Sequence, residues 1–413
     1  MISSDLVPQL PIPRKKANLR RLIFSFGCCL GLIGQAQIEE QLRIYGHVMT
    51  DLGYNTGQIN PDWFDVLRPS QLASFENQYA PNGQVYFSVR QTRMGVEFQK
   101  PTNAGDLKLW FEWELFGVGA DAGQTTFRLR HAYVELGKWG VGQTNSPFMD
   151  FDIFPNALEY WGPNAMVFFR NIQIRYMPIQ GDTRMTIALE RPGASADGGI
   201  YNQGIQLSDV HFRFMLPDLS MEYRQSTPFG YIELAGMLRY IKWEDTENAI
   251  FDLSGDALGW GLNLSSQIAL GPKGLIKFQT VYGEGIQNYL NDAGVDIGVV
   301  NQPGNITTPI QGKAMPVWTI MAFYDHQWSA RWTSTIGFGN VDVQVTEAQD
   351  PSSFKRGQYA LTNLLYHPFP NFMAGMELQF ASRQNFSDDW STSIVKIQAS
   401  LKYSFNFKFK QSN

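Results

Sequence analysis

The chain has 413 residues, 33 basic and 38 acidic side chains, a net charge of −5, 14% aromatics, 38 glycines and a mean hydropathy of −0.23. Its acidic balance argues against nucleic acid as a partner, and no stretch beyond the N-terminal leader approaches the roughly 20 apolar residues of a spanning helix. Such a chain is too polar for a helical membrane protein and too long for an ordinary soluble sandwich, whereas a barrel with one lipid-facing and one water-facing side reconciles these values.

The amino terminus sets Arg14, Lys15, Lys16, Arg20 and Arg21 ahead of an apolar run over 22–34, followed by Gln35 and Ala36. That order predicts a secretory signal peptide over 1–36, cut after Ala36, with the exported barrel over 37–413. Both cysteines, Cys28 and Cys29, leave with it, and Ser25, Phe26 and Gly27 make a poor lipid-attachment site for Cys28. The mature chain then has no thiol or disulfide, although its compartment would permit disulfides. Losing five basic residues and one acidic one moves the charge from −5 to −9.

Beyond that point Leu42, Ile44, Val48 and Leu52 alternate with Arg43, Tyr45, His47 and Asp51, a period-2 strand with one apolar face. Leu107, Leu109, Phe111, Trp113 and Leu115 likewise oppose Lys108, Glu112 and Glu114. Arg128 and Arg130 share parity with Ala132, Val134 and Leu136, which turns both toward lipid unless they lie above the apolar band or against another subunit.

Residues 143–171 break the alternation. They carry Pro147, Pro155 and Pro163 and mix Asp150, Asp152 and Glu159 with Phe148, Phe151, Phe154, Tyr160 and Trp161. A loop longer than about 15 residues is uncommon unless functional, and this one is too aromatic to be merely solvated. It is expected to fold into a pore and narrow it, chiefly over 144–165; a surface flap or subunit contact is the alternative.

Alternation resumes beyond it. Leu258, Trp260, Leu262, Leu264, Ile268 and Leu270 form one face, and Val395, Ile397, Ala399, Leu401, Tyr403 and Phe405 another. These segments reach about the 9 to 11 residues of a tilted membrane strand. Residues 359–367 show little alternation, while Trp139, Trp243, Trp328 and Tyr403 suit interfacial girdles. Connections alternate in length: turns at 101–104, 137–140, 178–182, 226–230, 271–274 and 368–371, long loops at 55–84, 144–165, 192–217, 244–255, 286–314 and 347–356. Counting 211–216 as a strand gives 17 and puts the chain ends on opposite sides. One outer loop over 192–217 gives 16, the even number usual for such barrels. The fold class expected is therefore all-β, a transmembrane antiparallel β-barrel of about 16 strands with a pore-constricting loop.

No enzyme chemistry, cofactor or metal is expected. His47, His131, His211, His326 and His367 lack ligand spacing; Gly117, Gly119 and Gly123 lack the strand-turn-helix context of a nucleotide loop; Asp150 and Asp152 lack the rest of a calcium loop; and no nucleophile motif appears. A barrel hydrolase, an adhesin or a purely structural barrel are the non-transport alternatives. The charges of interest are Arg43, Arg93, Arg175, Arg239 and Lys277 at lumen parity, Arg170 where the loop rejoins the wall, and Asp150, Asp152 and Glu159 on the loop. A basic wall facing an acidic loop makes a transverse field that selects solutes; the other reading has these bases solvate a wide lumen or pair with Glu97, Glu112 and Glu233.

The runs IYGHVMTDLGYN, VRQTRMGVEF, LRHAYVEL, GQTNSPFMDFDIFPNALEYWGPN followed by VFFRN, and YGEGIQNYL resemble the DcaP-like porins of Gram-negative outer membranes. The resemblance implies a homotrimer of 16-stranded barrels in outer-membrane lipid, each passing small, often anionic solutes such as dicarboxylates; a general, weakly selective porin is the nearest alternative. Two features depart from that family. The family can carry a helical extension before the barrel, whereas only residues 37–41 separate the expected cut from the first strand here, and the chain ends FKFKQSN without a terminal Phe.

Overall fold

The computed structural model describes residues 40–247 and 250–410. The expected leader, its Ala36 cleavage point, Cys28 and Cys29 lie outside the described residues. Strands follow in the order β1 (Gln41–Asn55), β2 (Gln84–Ser88), β3 (Arg93–Thr102), β4 (Gly105–Phe116), β5 (Thr125–Leu136), β6 (Trp139–Asn145), β7 (Arg170–Ile179), β8 (Arg184–Glu190), β9 (Val210–Phe212) and β10 (Asp218–Thr227). They continue as β11 (Gly230–Asp245), β12 (Gly255–Leu270), β13 (Gly274–Glu284), β14 (Ile297–Asn301), β15 (Ile310–Ala314), β16 (Pro316–Gln327), β17 (Trp332–Val343), β18 (Phe354–Tyr366), β19 (Phe372–Asn385) and β20 (Ser391–Lys410).

All but β14 and β15 join one antiparallel sheet. It closes where β1 meets β20 along its whole length, from Gln41 opposite Lys410 to Asn55 opposite Lys396. β2 and β3 share one wall position on β1, and β9 and β10 share one on β11, so the wall has the expected 16 positions. Closure matters because hydrocarbon offers no partner to an unpaired strand edge. The period-2 faces emerge as expected: Leu258, Leu262, Leu264, Ile397 and Leu401 are exposed outward, while Asn263, Ser265, Lys396, Gln398 and Ser400 are buried inside.

Short turns lie at one rim: 103–104, 137–138, 180–183, 228–229, 271–273, 328–331 and 367–371. The opposite rim carries the loops L1 (56–83), L2 (117–124), L3 (146–169), L4 (191–209), L5 (246–254), L6 (285–315), L7 (344–353) and L8 (386–390). The turn at 328–331 and the loops L2 and L8 are additions to the connections read from sequence. Trp139, Trp328 and Tyr403 are exposed near the short-turn rim, with Trp139 4.8 Å from Tyr176.

Three expectations need correction, and one irregularity in the sequence finds its cause. Arg128 and Arg130 do not face lipid. Glu112 pairs with His131 but Trp113 with Leu129, so Arg130 is the extra residue of a β-bulge and parity changes there. Both arginines point inward. Trp243 is not a girdle residue: it is buried against Ile241, Ile297 and Ala314, and its Nε1 donates to the Leu253 carbonyl at 2.9 Å. Residues 192–217 are not a single loop, since β9 extends the β10 position against Trp243, Glu244 and Asp245 without adding a wall position. Finally, 359–367 lacks alternation because its inner face is apolar too: Tyr359, Leu361 and Leu365 pack on L3 inside the barrel.

Candidate functional site

L3 folds into the lumen and makes contacts around its circumference. From β6 it first reaches β8, where Ser146 Oγ donates to Glu190 at 2.6 Å, and β12, where Asn263 Nδ2 donates to the Phe148 carbonyl at 2.7 Å. Lys277 Nζ on β13 donates to the Phe154 carbonyl at 2.5 Å, and Asn363 Nδ2 on β18 to the Asn156 carbonyl at 2.8 Å. On β19, Glu377 accepts the backbone N–H groups of Leu158 and Glu159 at 2.8 and 2.9 Å. Tyr160 then crosses to β4, donating to Glu114 and stacking on Phe116 at 3.7 Å. The loop returns past Gly357, Thr319 and Gln279, which hold Asn164, Ala165 and Val167. Proline-broken backbone inside a barrel leaves amides and carbonyls that cannot pair with each other, and the polar lumen face of the wall supplies their partners.

Apolar packing completes the anchorage. Phe148, Met149, Ile153, Ala165, Met166 and Val167 of L3 share one buried cluster with Leu67 and Leu72 of L1, Ile286, Tyr289 and Leu290 of L6, and Met321, Phe323 and Val341 of the wall. A fully buried side chain of this size contributes about 1.5–3 kcal/mol relative to exposure. Gly261 is one wall residue that permits the close approach: a Cβ there would stand 3.0 Å from Phe148 and 2.8 Å from Ile286.

The charges fall into two groups of opposite formal balance. Near the short-turn rim, Arg184 and Arg224 face Asp150, Asp152, Glu222 and Glu233, two cations to four carboxylates. Arg224 lies 2.7 Å from Asp150, 2.5 Å from Asp152 and 2.6 Å from Glu233, and stacks 3.6 Å over the Tyr231 ring. Asp150 also accepts from Tyr231 Oη and Ser265 Oγ, both at 2.7 Å. Burial works against the Asp152 anion, but Arg224 and Arg184 outweigh it and hold that carboxyl below its ordinary range. Higher on the wall, Arg93, Arg128, Arg130 and Arg170 surround Glu112 and Glu114, four cations to two carboxylates.

The expected site residues are placed as follows. Asp150 and Glu159 are 0% and 3% exposed; Asp150 is tied to Arg224 and Glu159 to Lys396 at 2.5 Å, so both carboxylates lie within the contact between loop and wall. Asp152 is half exposed, its side chain at 49%. Arg43 pairs with Glu97 at 3.0 Å, and Arg93 with Glu114 at 3.1 Å. Arg239 is buried between Asp218 and Asp296, and Lys277 pairs with Asp325 at 2.9 Å. Among the described residues Arg175 bonds only neutral groups, Gln173 Oε1 at 3.0 Å and the Asn145 carbonyl at 2.5 Å. Arg170 stands 5.1 Å over Phe168, with no hydrogen bond from its guanidinium among the described residues.

A barrel of 16 positions with its third long loop folded inward is a channel architecture, and the comparisons agree with it. The chain matches the DcaP outer membrane protein family over residues 39–405. The protein belongs to that family. Among solved structures it is similar to the outer membrane channel DcaP of Acinetobacter baumannii, at 19% identity over 88% of this chain and 97% of that one, with a TM-score of 0.73. It is also similar to an anion-selective porin from Comamonas acidovorans (10% identity, 89% and 100% covered, TM-score 0.57) and to OmpT of Vibrio cholerae in its trimer form (11%, 89% and 100%, TM-score 0.54). No curated protein matches. This DcaP-family chain is an outer-membrane porin.

Several residues that organise the DcaP-family lumen here were missed in the sequence. Arg130 was hidden by its bulge. Arg224 and Arg184 sit on strands with alternating polar faces and look like any lumen cation. L6 gave no signal of folding inward, yet Asp292 accepts from Arg68 and Ser70 of L1 at 3.0 and 2.8 Å, and Asp296 accepts from Ser195 of L4 at 2.8 Å and Arg239 at 3.0 Å.

Proposed function

We propose that this porin admits small hydrophilic anions, small carboxylates among them, in preference to cations. One observation carries the reading: Arg128, Arg170 and Arg175 face the lumen side without a carboxylate bonded to any of them among the described residues. The net acidity of the chain does not oppose this. Charges on outer loops are screened within about 8 Å at physiological salt, whereas a solute in the narrow section passes within contact of its side chains. Guanidinium forks match carboxylates, and a passing solute must be held weakly at several of them or it would not leave. In this reading Arg43, Arg93, Arg170 and Arg175 line the path, Asp152 borders it, and Asp150 and Glu159 hold the loop that narrows it.

The test is a reversal potential in a salt gradient across a planar bilayer. Anion preference is expected, shifted several-fold toward cations in an Arg128→Gln, Arg170→Gln double variant. Cation preference in the wild type, unmoved by that variant, would overturn the reading. The two-to-four group around Arg224 favours a second reading, a general porin of weak selectivity, which predicts a reversal potential near zero. A barrel without transport function predicts no regular conductance. The assembly proposed is a homotrimer, as in the trimer form of the Vibrio protein, with lipid on the remaining outer face; its mass in mild detergent checks this.

A further inference from the structure

We infer that Arg239 sets the selectivity of the channel without touching a solute: it seals the outer end of a carboxylate-lined column against β8, β10 and β11, and so leaves conduction to the arginine side of the lumen. The inference rests on the anion-channel reading and adds a positioning residue to it.

The inward faces of β8 and β10 carry the column. Asp218, Ser220, Glu222 and Arg224 follow at every second residue of β10, from its outer end toward the short-turn rim, and all four are buried. Asp218 stands opposite Glu190 of β8, and Glu222 opposite Thr186. Hydroxyls join the levels: Glu190 accepts from Ser220 Oγ and, at 2.6 Å, from Ser146 Oγ, while Glu222 accepts from Thr186 Oγ at 2.8 Å. Glu233 of β11 and Asp150 and Asp152 of L3 continue the acidic series downward, where the Asp152 side chain is half exposed. Carboxylates outnumber arginines here, the reverse of the balance around Arg93, Arg128, Arg130 and Arg170. A hydrated file of carboxylates conducts cations, so an open column would cancel the preference of the arginine side.

Arg239 closes its top. The Nε donates to Asp218 of the wall at 3.0 Å, Nη1 to Asp296 of L6 at 3.0 Å and to the Gly285 carbonyl of L6, and Nη2 to the Gly193 carbonyl of L4. Asp296 in turn accepts from the backbone N–H and Oγ of Ser195 in L4 at 2.8 and 2.9 Å, and from the Asn288 N–H of L6 at 3.2 Å. One guanidinium thus ties two loops to the wall. The Arg239 and Asp296 side chains are 1% and 0% exposed, and above them Ile241 and Trp243 pack under Ile297 and Ala314 of L6. On the arginine side, by contrast, wall and loops enclose a cavity of about 420 Å³ whose lining includes Arg128, Trp161 and Arg170. Loss of Arg239 leaves Asp218, Glu190 and Asp296 buried without a cation bonded to any of them among the described residues. Uncompensated buried charge is strongly unfavourable, and parting L4 from L6 to admit water relieves it.

The experiment measures reversal potential and single-channel conductance of the full barrel in a planar bilayer. Arg239→Gln is expected to raise conductance and to shift the permeability ratio several-fold toward cations, and millimolar Mg²⁺ should remove the added current. Arg239→Lys keeps the charge but spans fewer of the acceptors; it should shift the ratio the same way by less, and it decides the matter if Arg239→Gln does not fold. A lowered heat-conversion temperature with an unmoved ratio would make Arg239 a structural tie only and overturn the inference. With Arg239 in place, Ser220→Cys should resist a charged thiol reagent added from the outer side while Arg170→Cys reacts. Equal labelling of the two means that the column is already open and likewise overturns the inference. Anion preference in the wild type with unmoved Arg239 variants defeats the seal alone, whereas cation preference in the wild type defeats the channel reading beneath it.

Discussion

At the scale of single residues, Arg224 does most to fasten the loop. It joins three carboxylates, two of them on L3, and its partner Asp150 has no exposure to water. Removing one member of a buried pair leaves the other charged and desolvated, at a cost of about 3–5 kcal/mol. Arg224→Ala is therefore expected to lower the thermal midpoint in detergent and to open L3 to protease, while Arg213→Ala, which breaks an exposed pair with Glu244 outside the lumen, should move neither. Equal effects of the two would show that the anchor carries no special weight. The same group sets a pH limit. Because the Asp152 carboxyl is held below its ordinary range by Arg224 and Arg184, its contribution is complete above the unfolded carboxylate range and is lost as pH falls through the lowered value. Protease opening of L3 should accordingly rise on acidification below about pH 4, and less so in Asp152→Asn.

At the scale of elements, L3 is the piece that folds into the cylinder and bonds around its inner face. Deleting 151–162 while leaving the wall intact is expected to raise single-channel conductance, and an unchanged conductance in a folded deletion would make the loop a bystander. L3 was legible in the sequence because three prolines and an aromatic run cannot alternate, and the wall was legible because lipid on one side and water on the other impose period 2 on Leu258 to Leu270. The legible signals are those that one strand or loop carries alone. Arg130 shows the limit: a bulge inserts one residue without a characteristic residue type, so the parity that turns Arg128 outward on paper turns it inward in the barrel. The pairings of Asp292 and Asp296 were equally hidden, because each depends on L1, L4 and L6 meeting, and Trp243 looked interfacial only until L5 and L6 covered it.

At the scale of the whole molecule, the lumen contents and the wall form one packed body. L1, L3 and L6 contribute to the same apolar cluster as β16, β17 and β18, and hydrogen bonds from Glu377, Asn263 and Asn363 hold L3 to the wall, so releasing the loop strips those lumen side chains of their partners. The closed wall itself has no free edge from which to unravel, since β1 and β20 are paired through all 15 residues of β1. Loop and wall should therefore be lost together. In unheated detergent gels the folded protein is expected to migrate faster than the heated form, and the temperature of that conversion should coincide with the temperature at which protease first cuts within 146–169. The comparison discriminates because the two events report different parts of the molecule, mobility the wall and cleavage the loop. Cleavage of L3 well below the mobility change would mean that the loop opens independently, and the narrow section would then be a mobile gate instead of a fixed part of the barrel.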